Sequence, residues 1–157
     1  MGIQIDYLAK HKEFIPTLAQ WHHQEWAYLR PDDSIDKRID RLREAARRHA
    51  AVPTVVIAFA GDKLFGSAML VANDMDTRME LSPWLAGVFV APQYRKQGIG
   101  AALVGRVITD AWSLGVDRLY LYTPNTQLFY SRLGWSVVER MKYCGLDVVV
   151  MSFDCAT

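Results

Sequence analysis

A glycine-bearing turn between an apolar run and a helical pattern carries the clearest chemical signal in this sequence. The apolar run Leu85–Val90 is followed by Arg95-Lys96-Gln97-Gly98-Ile99-Gly100, after which apolar residues recur at helical spacing. Glycines let a ligand approach the backbone closely, and a helix start directs unpaired N–H groups and partial positive charge at it. Arg95 and Lys96 add full charges. We therefore expect this turn to bind phosphate.

Two common phosphate-binding motifs do not fit the turn. The Walker motif requires Lys and then Ser or Thr directly after its last glycine, where this chain has Ala101-Ala102. The dinucleotide fingerprint requires a third glycine at the position of Leu103. A pair of glycines is also compatible with a tight structural turn before a helix. The turn by itself therefore leaves the identity of the ligand open.

The longer stretch V-x-V-x-P-x-Y-R-x-x-G-x-G-x-x-L, residues 88–103, resembles the acetyl-CoA motif of the GNAT superfamily of N-acetyltransferases. The resemblance implies that the turn binds the pyrophosphate of coenzyme A and that the preceding strand pairs with the pantetheine arm. It identifies as cofactor-binding the residues Val88, Phe89, Val90, Arg95, Lys96, Gln97, Gly98, Ile99, Gly100 and Ala101.

A second stretch, N-T-Q-L-F-Y-S-R-L-G-W at residues 125–135, resembles the A-x-x-(F/L)-Y-x-x-x-G-(F/W) element of the same superfamily. The resemblance implies that Asn125 contacts coenzyme A, at a spacing two residues shorter than in many members. It also implies that Tyr130 is the general acid, which protonates the thiolate of coenzyme A as it leaves. The alternative for Tyr130 is a core aromatic residue whose hydroxyl binds a carbonyl group.

The general base and the oxyanion donor are less clearly marked. Some protein-acetylating members of the superfamily carry a glutamate base late in the second core strand, where this chain has Tyr122. We therefore expect the base to come from elsewhere, with Glu80 at the head of a long strand as first candidate, directly or through water. An exposed strand carboxylate is the alternative for Glu80. A backbone N–H of Phe89 or Val90 should polarise the thioester carbonyl.

The segment Trp21-His22-His23-Gln24-Glu25-Trp26 is rich in aromatic and polar side chains. It predicts either a packed aromatic helix with exposed histidines or the wall of an acceptor pocket. On the second interpretation we expect substrate contacts from Glu25, Trp26, Tyr28, Asp74 and Tyr122. The carboxylates Glu25, Asp74, Asp76 and Glu80 favour a cationic acceptor, either a small amine or a peptide amine. Adjacent histidines on a helix make a poor metal pair, so we expect no metal.

Length and composition are those of one globular domain. The chain has 157 residues, 51% of them hydrophobic and 22% charged, so we expect a single N-acetyltransferase (GNAT-like) domain over residues 1–157. A net charge of +1 argues against nucleic-acid binding, and no apolar run reaches membrane length. Two cysteines, Cys144 and Cys155, fit a reduced compartment. We therefore expect a cytoplasmic protein that binds neither nucleic acid nor membrane.

Hydrophobic periodicity and breakers predict the order of elements. Strands are expected at residues 3–7, 54–60, 64–72, 79–90, 118–123, 135–142 and 146–153, and helices at 13–29, 35–46, 100–114 and 126–133. Asp33 or Ser34 should cap the second helix, whose arginines, Arg41 and Arg43 among them, are typical of a solvated face. Pro83 predicts a bulge or bend within the long strand 79–90.

This order extends the resemblance over nearly the whole chain. It predicts an α/β (α+β) fold with a GNAT-like mixed, mostly antiparallel seven-stranded sheet, about four flanking helices and a splayed pair of central parallel strands. The gap should lie between Val90 and Tyr122. The resemblance implies an N-acetyltransferase that transfers acetyl from acetyl-CoA to a primary amine of a small molecule or peptide by direct attack in a ternary complex. The alternative is a catalytically silent acyl-CoA-binding or sensor module. The last hairpin could pair across a homodimer.

Overall fold

The computed structural model describes residues 2–47 and 51–155 and has a mixed α/β architecture. Within these residues seven strands form one sheet in the order β1-β2-β3-β4-β5-β7-β6. The central neighbours β4 and β5 are parallel, whereas the other neighbouring pairs are antiparallel. The expected mixed sheet is thus confirmed. Its strands are β1 (Gln4–Tyr7), β2 (Thr54–Ala60), β3 (Lys63–Val71), β4 (Trp84–Val90), β5 (Arg118–Thr123), β6 (Ser136–Tyr143) and β7 (Leu146–Asp154).

The part of the chain that the structure describes contains four α-helices: α1 (Ile15–Trp26), α2 (Ile35–Ala45), α3 (Ile99–Ser113) and α4 (Gln127–Arg132). The hydroxyl of Ser34 accepts a hydrogen bond of 3.1 Å from the N–H of Lys37, so Ser34 caps α2 as predicted. Gly115 follows the end of α3 with a φ of +84°, a conformation that favours glycine. None of the described helices is long and apolar enough to cross a membrane.

The sheet separates the helices into two layers. Successive side chains of β2 point to opposite faces of the sheet, because side chains alternate in direction along a strand. Val55 and Ile57 pack with the core residues of α1 and α2, whereas Val56 and Ala58 pack with those of α3. All seven residues of β2 are buried, as expected of a strand covered on both faces.

A bulge interrupts the ladder between β3 and β4. Ser67 stands opposite Phe89, and Met69 stands opposite Ala86, so β4 holds one residue more than β3 across this interval. Gly87 lies within it at a φ of +57°. A Cβ atom on Gly87 would lie 2.7 Å from the sulfur of Met69, so both the conformation and the space call for glycine.

The prediction of a long strand over residues 79–90 is wrong in its first part, since β4 begins only at Trp84. The preceding residues make local turns instead, in which Arg78 donates to the carbonyl of Met75 and Leu81 donates to that of Arg78, both at 3.1 Å. Pro83 has no N–H to give a ladder. The irregularity expected at Pro83 is therefore the start of the strand, and the bulge lies at Gly87.

Candidate active site

The parallel strands β4 and β5 part almost as soon as they meet. Trp84 stands opposite Tyr120 in the register that joins them, and the N–H of Tyr120 donates to the carbonyl of Pro83 at 3.1 Å. Farther along, β4 follows β3 as far as Val90, while β5 follows β7 as far as Thr123. The expected gap between Val90 and Tyr122 is thus present, and it exposes backbone polar groups that a neighbouring strand would otherwise satisfy.

The ladder assigns the free donor in this gap to Val90. The N–H of Ala91 donates to the carbonyl of Phe65 on β3 at 2.9 Å. Successive residues of a strand direct their N–H groups to opposite edges, so Val90 directs its N–H towards β5 and Phe89 directs its own back to β3. The carbonyl of Val90 accepts a hydrogen bond of 2.7 Å from Nε of Arg95. That side chain therefore fixes the polar edge of β4 at the gap.

The start of α3 lies at the end of β4 and has the properties of an anion site. Gly98 precedes the helix at a φ of +82°, and a Cβ atom there would meet no atom within 4 Å. No side chain caps the helix, although all of its first turn lies within the described residues. The first helical N–H groups are therefore free for a ligand. A Cβ atom on Gly100 would lie 3.6 Å from Val90 and 3.4 Å from Phe129, so α3, β4 and α4 converge here.

Tyr130 follows Phe129 on α4 and lines the gap from the side of β5. The residue is 8% exposed, and its ring packs edge-on against Phe129 and Trp135. Burial alone shifts the pKa of its hydroxyl, and no hydrogen-bond partner in residues 2–47 or 51–155 contributes to the shift. Burial raises the pKa of Tyr130, so the hydroxyl carries its proton at neutral pH.

A cavity of about 390 Å³ opens beside the splayed strands. Its lining brings together most of the side chains that the sequence assigned to catalysis and to the acceptor, and two that it assigned to coenzyme A, Val88 and Asn125. The former are Glu25, Trp26, Tyr28, Asp74, Tyr122 and Tyr130. Residues 95–101 lie outside this lining. The turn at residues 95–101 and the cavity are therefore separate regions that meet at the gap.

Glu80 is not brought to the cavity. It lies exposed in the turns before β4, and it is absent from the residues that line the cavity. Its charge acts on the guanidinium of Arg78, which is itself paired with Glu139. The expectation that Glu80 heads a long strand is wrong, because the strand begins four residues later.

Asp74 is one of two carboxylates among the described residues that line the cavity, the other being Glu25. Burial raises the pKa of the Asp74 carboxyl to about 7, against the opposing charges of Arg30 and Arg38. The side chain still retains 20% exposure, and Oδ1 lies 3.8 Å from a terminal nitrogen of Arg30. Burial, with a contribution from Asp74, also raises the pKa of Tyr122. A carboxylate that changes charge near neutral pH suits proton transfer.

Three arginines also line the cavity, and the sequence analysis did not single them out as site residues. They are Arg30, which follows α1, and Arg38 and Arg41 on α2. Arg41 is exposed, as expected of a solvated face, and together with Arg38 it donates to Asp33. The side chain of Asp33 is fully buried, and it also contacts Nδ1 of His23 at 3.4 Å. Asp33 therefore accepts hydrogen bonds from Arg38 and Arg41, and it does not cap α2.

His22 is buried, not exposed as one interpretation of the Trp21–Trp26 segment expected. Its Nε2 lies 2.9 Å from the hydroxyl of Ser67, and that hydroxyl donates to the carbonyl of Gly87 at 2.8 Å. Because the single hydroxyl proton of Ser67 is used on Gly87, Nε2 of His22 must carry the proton that it donates to Ser67. Burial lowers the pKa of His22 to about 3, so the ring is neutral. No group of three His, Cys, Asp or Glu side chains in residues 2–47 and 51–155 could hold a metal ion.

A family model described as acetyltransferase (GNAT) family matches residues 15–135 of this chain. No curated protein matches it. Among solved structures, an aminoglycoside 6'-N-acetyltransferase complexed with coenzyme A is 16% identical, with a TM-score of 0.77 and 97% of each chain covered. An N-acetyltransferase from Staphylococcus aureus Mu50 is 16% identical, with a TM-score of 0.75 and 99% of each chain covered.

A third structure, yncA from Salmonella typhimurium with its cofactor acetyl-CoA, is 18% identical at a TM-score of 0.72. The match covers 99% of this chain and 95% of that one. At these identities the likeness shows a shared fold, and it extends over the whole sheet and its helices.

Proposed function

The chain belongs to the acetyltransferase (GNAT) family, and on that premise we propose that it transfers an acetyl group from acetyl-CoA to a primary amine of a small molecule or peptide. The observation that carries the proposal is the convergence of three features at one gap in the sheet. These are the uncapped start of α3, the unpaired edge of β4 at Val90, and the protonated hydroxyl of Tyr130. Each matches a requirement of acetyl transfer.

The residues around Gly98 fit the diphosphate of coenzyme A. The positive φ of Gly98 and the open space at its Cβ position let an anion approach the free N–H groups of the helix. Lys96 and Arg95 are exposed beside them, and Arg95 uses only Nε within the described residues, which leaves its terminal nitrogens for the ligand. Bound acetyl-CoA would supply the acetyl thioester for transfer. The strand edge at Val88 and Val90 is open to pair with the extended pantetheine arm.

Two groups of this chain act on the reacting centre in the proposal. The N–H of Val90 polarises the carbonyl that is attacked, in a direction fixed by the ladder to β3. The hydroxyl of Tyr130 donates a proton to the departing thiolate, whose conjugate thiol has a pKa of about 8.5. The raised pKa of Tyr130 keeps that proton in place until the thiolate forms. Direct attack needs both groups at the same gap.

We assign the general base to Asp74 rather than to Glu80. An alkyl amine has a pKa of about 10, so it arrives protonated and must lose a proton before attack. Asp74 lines the cavity with Tyr122, and the pKa of its carboxyl, about 7, leaves it ionised in a useful fraction at neutral pH. Glu25, Trp26 and Tyr28 form the wall from which the amine approaches. Asn125, at the turn after β5, faces the region where the pantetheine and the acceptor meet.

The rival function is a catalytically silent acyl-CoA-binding module. It needs the phosphate-binding turn but neither an ionisable carboxylate in the cavity nor a protonated tyrosine hydroxyl at the gap. Release of free thiol from acetyl-CoA, assayed with a panel of amines, separates the two. Amine-dependent thiol release supports the transferase, whereas binding of acetyl-CoA without release with any amine supports the silent module.

A homodimer through the last hairpin belongs to the same proposal. Strand β6 lies at one edge of the described sheet, and it exposes the side chains of Val137 and Val138. Edge strands of this kind pair readily with a second copy. Light scattering during size-exclusion chromatography tests it, with the charged substitution Val137→Lys expected to yield a monomer and an unaltered dimer contradicting the assignment.

A further inference from the structure

We propose that the acceptor amine carries a carboxylate, and that Arg38, flanked by Arg30 and Arg41, binds this carboxylate in the cavity. The inference rests on the proposed acetyl transfer, because it names the class of acceptor for that same site. It revises the expectation of a purely cationic acceptor, since only Glu25 and Asp74 of the carboxylates that suggested it line the cavity, and three guanidinium groups line it with them.

The three arginines of the cavity have more N–H donors than the described residues have acceptors for them. One carboxylate, Asp33, accepts from Arg38, Arg41 and the ring of His23, which uses both of its oxygens. Arg30 lies 3.8 Å from Asp74, a separation that is an ion pair but not a hydrogen bond. The three guanidinium groups therefore retain N–H donors that no acceptor satisfies in residues 2–47 and 51–155.

The second argument is the burial of Arg38. Its side chain is only 12% exposed, and it is bonded to Asp33 through Nε alone. Its two terminal nitrogens make no hydrogen bond within residues 2–47 and 51–155, and the residue lines the cavity. The planar fork of a guanidinium matches the two oxygens of a carboxylate, and hydrogen bonds between ionised partners are about twice as strong as neutral ones. A guanidinium that is mostly withdrawn from water but incompletely bonded favours an anion as its partner.

The third argument is the position of the arginines relative to the catalytic groups. Arg30 is adjacent to Asp74, the proposed base, so an amine at Asp74 and a carboxylate at the arginines would belong to one small molecule. The phosphate-binding turn at residues 95–101 lies outside the cavity lining, so these arginines are distinct from the groups proposed for coenzyme A. Glu25 remains on the same wall to attract the amine.

The test compares ω-amino acids of two to five carbons with their primary amides, at equal concentrations of free amine. Thiol release from acetyl-CoA should show a kcat/KM for at least one acid that is about tenfold or more above that of its amide, because the amide has no charge for the arginines. In Arg38→Lys, which keeps the charge but loses the fork, this ratio should fall below that of the parent while the Kd of acetyl-CoA stays the same. Arg43→Gln, on the exposed part of α2 outside the cavity, should leave the ratio as it is.

Calorimetry tests binding at the carboxylate site without requiring any turnover. The protein loaded with coenzyme A should bind the preferred acid, and Arg38→Lys and Arg41→Gln should bind it at least tenfold more weakly. Thiol release with amides and simple amines, at rates equal to those of the acids, would overturn the carboxylate subsite and leave acetyl transfer intact. Absence of thiol release with every amine would refute the proposed function, and calorimetry would then decide the subsite alone: binding of an acid supports it, and no binding overturns it.

Discussion

Nε2 of His22 lies 2.9 Å from the hydroxyl of Ser67, and both side chains are buried. The hydroxyl of Ser67 in turn donates a hydrogen bond to the carbonyl of Gly87, at the bulge of β4. The bulge precedes the stretch of β4 whose edge faces the gap, so this chain of hydrogen bonds positions the strand that carries Val90, the proposed donor to the thioester carbonyl. These hydrogen bonds join α1, β3 and β4 where β4 and β5 separate.

Ser67→Ala should therefore destabilise the fold and misplace the strand. The substitution leaves the N–H of His22 and the carbonyl of Gly87 unsatisfied in the core, which should lower the free energy of unfolding by about 1–3 kcal/mol. It should also reduce kcat more than the affinity for acetyl-CoA. Urea unfolding and steady-state kinetics measure both. Ser113→Ala, which removes an exposed hydroxyl bonded to the carbonyl of Thr109 on α3, is the matched control, and equal effects of the two changes would contradict the account.

Gly98→Asp should nearly abolish the binding of acetyl-CoA. An aspartate at this position puts a negative side chain in the open space where we propose that the diphosphate binds. The substitution also strains a backbone at a φ of +82°, so a control with the same strain is needed. Gly115→Asp supplies it, because Gly115 has a φ of +84° and equally open space at the other end of α3.

Calorimetry with acetyl-CoA distinguishes the two glycine variants. The account requires weak or absent binding for Gly98→Asp and near-normal binding for Gly115→Asp in folded proteins. Unchanged affinity in a folded Gly98→Asp protein would move the diphosphate away from the start of α3.

Much of the fold could be predicted from the sequence. The bounds of β2 and β5 agree with the expected strands, because each is a short β-branched and aromatic run between strong breakers. The strands predicted at residues 135–142 and 146–153 are also present, and the turn between them has positive φ at Cys144 and Gly145. These features depend on local chemistry, which a sequence displays directly.

The features that were missed depend on contacts between distant segments. His22 looked exposed because its neighbours on α1 are polar, and its partner Ser67 lies 45 positions away. The contact of Arg38 and Arg41 with Asp33 was missed because the helical pattern alone does not pair side chains on α2 with a residue that precedes the helix. The stretch 79–83 looked like a strand because its apolar residues run on towards β4. A cue for the arginine cluster was present in Asp33, a carboxylate just before an arginine-rich helix.

Tyr130→Phe should lower kcat by roughly 10²–10⁴ while the Kd of acetyl-CoA and the fold persist, because the change removes only the proposed proton donor. Tyr120→Phe, on β5 but outside the cavity lining, is the control and should retain nearly full activity. Single-turnover kinetics ensures that the chemical step is observed. Turnover of Tyr130→Phe within about threefold of the parent, with chemistry rate-limiting, would make Tyr130 a packing residue and direct attention to Tyr122 or water.

The pH profile of kcat/KM should rise through the pKa of Asp74. The carboxylate must be ionised to accept a proton, and burial raises its pKa to about 7, so activity is lost as the pH falls below about 7. Asp74→Asn should lower kcat/KM by roughly 10²-fold or more and remove this limb of the profile. Glu80→Gln should leave the limb in place. A limb that survives in Asp74→Asn and disappears in Glu80→Gln would restore Glu80 as the base.

The central claim is that the gap between β4 and β5 transfers acetyl from acetyl-CoA to an amine. The most direct measurement is mass spectrometry of an amine panel after incubation with acetyl-CoA and the protein, with free thiol measured in parallel. We expect an amine that gains one acetyl group in equal amount to the thiol released, with both signals lost in Gly98→Asp and retained in Gly115→Asp. Tight binding of acetyl-CoA with no acetylated amine and no amine-dependent thiol would contradict the claim and leave a binding module.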